Sequence, residues 1–132
     1  VNKIPKSHID LLERPIVVSM ATVMPNGQPQ VTPVWADTID GMVRINTVEG
    51  RQKHQNMAIR KQVTFLVIDP NDPMRWMEVR GTIASMSEKD GIAVIDKLAK
   101  DYLDVEPYPW HNAEDTRVTC LIAPTHVVVG GD

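Results

Sequence analysis

The densest chemistry in the chain lies in Thr47-Val48-Glu49-Gly50-Arg51-Gln52-Lys53-His54-Gln55-Asn56. The segment leaves an alternating apolar run, passes a glycine and enters residues that favour a helix. The first amides of a helix have no intrahelical acceptor, so they point outward toward an anion. Arg51 and Lys53 put two cations in that first turn, where the helix dipole disfavours them. A bound phosphate would offset the penalty. Solvation of both charges at the surface is the other reading, and the spacing alone leaves both open. There is no Walker-type glycine loop, so a nucleoside triphosphate is not implied.

A second segment is Gln30-Val31-Thr32-Pro33-Val34-Trp35, with Pro29 just before it. Proline cannot donate to a strand ladder, so this strand is expected at an edge, at a bulge, or open to a ligand. Free backbone groups there suit a flat heteroaromatic ring with polar edges, with Gln30 and Thr32 as further partners. The plain alternative is an ordinary edge strand with Trp35 in the core. Trp76, on the more polar face of its strand, and Trp110, in a proline-rich loop, are placed like residues of interfaces or ligand pockets.

Other chemistries lack their residues. Ser19, Ser85 and Ser87 have no glycine elbow, and no carboxylate pair for hydrolysis stands out. The histidines His8, His54, His111 and His126 show no metal-ligand spacing, so no metal is expected. No catalytic side chain is assigned, and any redox or group-transfer step is expected to rest on a cofactor.

Positioning these residues requires a β-rich frame. A short helix is expected over residues 7–14, ended by Pro15. Residues 16–24 and 28–36 read as strands joined by Pro25-Asn26-Gly27, a turn suited to positive φ. Residues 37–41 read as a turn and 42–47 as a third strand. A helix follows over 51–61, then a nearly continuous apolar strand over 62–69, expected to be buried on both faces. A long strand over 75–86 places Met77, Val79 and Ile83 on one face. Ser87 is the expected cap of a helix with Ile92, Ile95, Leu98, Ala99 and Tyr102 at helical spacing. Residues 104–116 form a loop. A sixth strand covers 117–122, and residues 126–129 extend or continue it. Six antiparallel strands around one small core, with helices between them, predict a barrel.

The chain has 132 residues and a net charge of −3. Its length suits a single domain over 1–132. The charge argues against a general nucleic-acid binder, and no run is long enough to span a membrane. The single cysteine, Cys120, lies in an apolar alternating run and is expected to be a small buried hydrophobe. Cysteine usage and the polar N-terminal residues suggest a cytoplasmic protein.

Taken in order, several segments resemble the pyridoxamine 5′-phosphate oxidase-like split-barrel superfamily, particularly its branch that uses the deazaflavin coenzyme F420. They are the hairpin from Ala21 to Trp35, the run Gly50-Arg51-Gln52-Lys53-His54-Gln55-Asn56, the run Val67-Ile68-Asp69-Pro70-Asn71-Asp72-Pro73, and Glu78-Val79-Arg80-Gly81. The resemblance implies a mainly β, six-stranded antiparallel split barrel of the FMN-binding type. It also implies a homodimer with cofactor sites at the interface. Arg51 and Lys53 match the residues that hold the cofactor phosphate. Gln30, Thr32, Pro33 and Val34 match the strand beside the tricyclic ring. Thr47, Gly50 and Gln52 belong to the strand end and helix start that complete the pocket, and the Trp76 and Trp110 regions would come from the partner subunit.

The implied reaction is hydride transfer from reduced F420 to an electron-poor small molecule such as an activated alkene. Solvent or a nearby group would supply the proton. For the acidic tail of F420 the sequence offers only Arg60, Lys61 and His54, which keeps FMN as the alternative cofactor. Other readings are an FMN-dependent flavin reductase and a non-catalytic carrier of F420, FMN or haem. The C-terminal signatures of the pyridoxine phosphate oxidases themselves are not present.

Overall fold

A computed structural model describes residues 3–132. After turns at residues 6–9, a short helix α1 (Asp10–Glu13) buries Leu11 and Leu12 and gives way at Arg14, before Pro15. The first hairpin pairs β1 (Val18–Val23) with β2 (Pro29–Val34), register Met20 to Thr32. Its turn forms as expected, with Gly27 at φ +89° and the Met24 amide bonded to the Gln28 carbonyl. Among the described residues β2 pairs only with β1, so its two prolines sit on an edge strand.

The expected second strand does not continue through Ala36. It breaks at Trp35, and β3 (Ala36–Ile39) occupies most of the expected turn. The reversal is compressed into Asp40 and Gly41, both at positive φ, before β4 (Met42–Val48). Helix α2 (Gln52–Ile59) then leads to β5 (Gln62–Ile68) and β6 (Trp76–Ser87). Helix α3 (Gly91–Leu103) begins beyond the expected cap, because Ser87 Oγ closes a local turn by accepting from the Lys89 amide. The last strand, β7 (Arg117–Gly130), is one continuous element.

There are thus seven strands among the described residues, in one antiparallel sheet ordered β2-β1-β5-β6-β7-β4-β3. The extra strand over the predicted six is β3. β2 and β3 lie at opposite margins of the sheet, yet only Trp35 separates them in the chain. One residue spans a few ångströms at most, so the sheet has to curl until its margins nearly meet. The result is a split barrel. The seam is fastened from α3, where the Tyr102 hydroxyl donates to the Ile16 carbonyl (2.8 Å) and accepts from the Ala36 amide (3.1 Å).

The barrel interior is filled by Val18, Met20, Val43, Ile45, Phe65, Val67, Met77, Val79, Cys120 and Ile122, each about 1% exposed or less. Removing a side chain the size of Phe65 from water contributes about 1.5–3 kcal/mol. Cys120 is buried as expected, and burial pushes its thiol pKa up to about 12, against the pull of the Lys53 charge. β5 corrects the sequence reading. It buries Val63, Phe65 and Val67 inward, whereas Leu66 and Ile68 are exposed on the outer face. No helix among the described residues is long and apolar enough to cross a membrane.

Candidate functional site

β4 runs out at Val48, and a turn through Glu49 and Gly50 (φ +93°) redirects the chain into α2. Arg51 becomes the N-cap with an extended backbone, and Lys53 lies in the first turn. No side chain caps this helix and no acidic residue occupies its first turn. Its leading amides and both cations are therefore without local compensation. The turn is stiffened from within, since Gln55 Nε2 donates to the Gly50 carbonyl (2.6 Å) and the Gly50 amide donates to His54 Nδ1 (3.2 Å).

A polar brace seats α2 on the first hairpin. Buried Asn56 donates through Nδ2 to Thr22 Oγ1 (3.0 Å) and reaches Gln30 Oε1 at 3.5 Å. Gln52 Nε2 donates to Asn56 Oδ1 (2.9 Å). This network fixes the helix start relative to β2, and so fixes the cations relative to the proline-interrupted strand.

A cleft of about 370 Å³ opens where these elements meet, lined by Arg51, Lys53, Pro33, Val34, Trp35 and Val17. The rest of the lining is Asn46 from β4, Ile95 and Leu98 from α3, Tyr108 from the loop, and Arg117 at the start of β7. Its volume lies within the range of small-ligand pockets. No carboxylate lines it. Burial lowers the Lys53 pKa below the ordinary lysine value, and the neighbouring Arg51 charge lowers it further. Among the described residues neither Arg51 nor Lys53 makes an ion pair. An oxyanion entering this cleft meets positive charge with no internal competitor.

The sequence-predicted residues divide accordingly. Pro33, Val34, Arg51 and Lys53 share the cleft. Gln30 and Gln52 belong to the brace behind it. Gly50 shapes the turn. Thr32 is half-buried on β2 opposite Met20 and does not line the cleft. Thr47 is buried, and its Oγ1 has no hydrogen-bond partner among the described residues. Trp76 pairs with Ile68 and Gly130 in a different row of the sheet. Arg60 and Lys61 turn to backbone carbonyls, of Val23 (2.7 Å) and Ala58 (3.0 Å).

The sequence matches the family described as pyridoxamine 5′-phosphate oxidase over residues 4–127. The chain belongs to this family. Among solved structures, an F420 reductase is 32% identical, with a TM-score of 0.85, covering 95% of this chain and 98% of that one. Two others share the split-barrel fold. A conserved hypothetical protein from Mycobacterium tuberculosis is 21% identical (TM-score 0.77), covering 98% of this chain and 89% of that one. The HupZ protein of Group A Streptococcus is 16% identical (TM-score 0.69), covering 96% and 93%. No curated protein matches the chain. As a member of the pyridoxamine 5′-phosphate oxidase family, the chain carries its cleft at the seam of the split barrel.

Among the lining residues that a reading by motif misses, four are polar or aromatic. Trp35, expected in the core, is a half-buried wall of the cleft. It stacks on Tyr102 and meets Tyr108 edge-on, with centroids 6.2 Å apart. Asn46 and Arg117 meet diagonally across the β4–β7 pairing, where Arg117 lies opposite Val48 and Asn46 opposite Thr119, a neighbourhood that no local spacing reveals. Tyr108 sits in an irregular loop. The one available signal was Arg117 itself, a charged residue heading an apolar run.

Proposed function

We propose that this protein is an oxidoreductase that binds reduced coenzyme F420 in the Arg51–Lys53 cleft and passes hydride to an electron-poor small molecule. The observation carrying the reading is the pairing of two uncompensated cations at an uncapped helix start with a wall of Pro33, Val34 and Trp35. Membership of the family and the likeness to an F420 reductase across almost the whole chain support a hydride-transfer function of the flavin or deazaflavin class.

The donor set fits a phosphate-bearing tricycle. Arg51 and Lys53 would hold the phosphate, with the leading α2 amides as further donors. Pro33, Val34 and Trp35 would back the ring, and Ile95 and Leu98 would shield the cleft from water. When bound, the cofactor supplies the hydride. The chain's own contribution is to orient and desolvate.

Two copies of the chain are proposed to pack through the outer face of the sheet. Val31, Leu66 and Ile68 are exposed there, and Val17, 56% exposed, also lines the cleft. A partner on this face would border the site.

One observation favours FMN as a second reading. Arg60 and Lys61 are bonded to carbonyls and stand outside the cleft lining, so they offer little to a long acidic tail. Titration of the purified protein with F420 and with FMN, followed by tryptophan fluorescence, separates the two. Turnover of reduced F420 with an activated enone then distinguishes an enzyme from a carrier. Absence of quenching by either compound at micromolar concentration defeats both readings.

A further inference from the structure

Two half-buried guanidinium groups, those of Arg44 and Arg75, are paired with carboxylates, whereas the more deeply buried Arg117 in the cleft is not. Arg44 is bonded to Asp37 (2.7 and 2.8 Å). Arg75 is bonded to Asp10 and Asp69. Arg117 is more buried than either, at 7% exposed, and among the described residues it makes no ion pair. Its Nη1 donates to Asn46 Oδ1 at 3.3 Å, and its Cζ lies 4.7 Å from the centre of the Tyr108 ring. A guanidinium has five N–H donors, so most remain unspent.

The arrangement is held in place from several sides. Asn46 Nδ2 donates to the Gly91 carbonyl (2.8 Å), which orients Asn46 Oδ1 toward Arg117. A Cβ at Gly91 would collide with the Arg117 backbone, so α3 begins directly against this residue. Burying a cation without a counter-ion is unfavourable unless a ligand supplies the opposite charge. Arginine is also the side chain best suited to grip carboxylate or phosphate with two parallel bonds. Arg117 heads β7, whereas Arg51 and Lys53 belong to the start of α2, so the cations come from separate elements.

We propose that Arg117 is a second oxyanion-binding residue of the cleft, distinct from the Arg51–Lys53 pair, and takes a phosphate or carboxylate oxygen of the bound ligand. This rests on the reading of the cleft as a ligand site. The oxyanion has two possible sources, an acid group of the cofactor or an acid group of the acceptor molecule.

The test compares Arg117→Met and Arg117→Lys with the unaltered protein in three measurements. Calorimetric titration with inorganic pyrophosphate reads the anion site without any flavin. Arg117→Met is expected to weaken this binding at least tenfold, and Arg117→Lys, which keeps the charge and loses the fork, by an intermediate factor. Tryptophan fluorescence with FMN, F420 and riboflavin comes second. A tenfold loss for FMN or F420 with riboflavin unchanged assigns the oxyanion to the cofactor. Steady-state rates with an enone acid and its methyl ester come third. A tenfold rise in KM for the acid alone, with kcat and cofactor affinity unchanged, assigns it to the acceptor.

A folded Arg117→Met protein unchanged in all three measurements overturns the proposal, as does an unaltered protein that binds no pyrophosphate and does not tell FMN from riboflavin. Should Arg117→Met fail to fold, Arg117→Lys and Arg117→Gln answer the same questions. Pyrophosphate binding that depends on Arg117, in a protein that binds neither F420 nor FMN, would sustain this assignment while defeating the redox reading.

Discussion

The rings of Trp35 and Tyr102 are stacked, their centroids 5.4 Å apart and their planes 17° from parallel. Trp35 is the one residue between the two margins of the sheet, and Tyr102 comes from α3. The helix thus reaches across the seam with its ring on the connecting residue and its hydroxyl on the backbone to either side. The wall of the cleft and the closure of the barrel are the same piece of structure.

Tyr102→Phe separates the two roles. The ring stays on Trp35, but the Ala36 amide and Ile16 carbonyl lose their shared partner. An orphaned buried group costs about 1–3 kcal/mol. Urea denaturation is expected to show a loss of that size with an unchanged slope. A loss near zero would mean that water replaces the hydroxyl.

Lys53→Ala is expected to weaken F420 or FMN binding by about 1–3 kcal/mol, read by tryptophan fluorescence. Unchanged binding removes Lys53 from the site.

Binding should also depend on pH through Lys53. Burial, then Arg51, lowers the pKa of the free side chain below the ordinary value of about 10.4. A bound anion favours the ammonium and raises that pKa again. Affinity is therefore full below the lowered value and falls as pH rises through it, with proton uptake on binding in that window. The dependence should disappear in Lys53→Ala.

Asp37 is buried between Arg44 and Lys97. Burial opposes its ionisation, but the two cations outweigh it and hold the carboxyl below its ordinary range. The stabilisation is complete above the unfolded value of about 3.9 and is lost as pH falls through the lower folded value. Asp37→Asn leaves Arg44 without its carboxylate, and a loss of about 3 kcal/mol is expected. The acid limb of the stability profile should flatten in the variant.

Much of this could be read in the residues, and the omissions have physical causes. The hairpin turn was legible because Asn26-Gly27 dictates backbone sign locally. The edge position of β2 followed from two missing amide donors at Pro29 and Pro33. β3 was not legible, because Asp37 carries turn propensity that pairing with β4 overrides, and the true turn at Asp40 and Gly41 stands directly beside it. Trp35 was assigned to the core because size and apolarity cannot tell an inner wall from a cleft wall. The continuous apolar run of β5 misleads for a related reason, since Leu66 and Ile68 are exposed on the outer face of a single copy of the chain. Arg117 joins Asn46 only through strand register.

The outer face around Leu66 offers a direct check on assembly. Sedimentation is expected to show a dimer, and Leu66→Asp, at a residue 38% exposed in the single chain, should shift it to monomer with little change in monomer secondary structure. An unaltered protein that sediments as a monomer at micromolar concentration would discard the shared interface.

Pro29 and Pro33 have a further consequence for how copies can meet. A proline survives in an edge strand where its nitrogen looks away from the neighbour. On the open rim of β2, two positions therefore present no amide, and the carbonyls of a flanking strand would find no donor there. Lateral extension of the sheet into a continuous ribbon is blocked at that rim. Any contact between copies at that margin would therefore rest on side chains and not on an added strand.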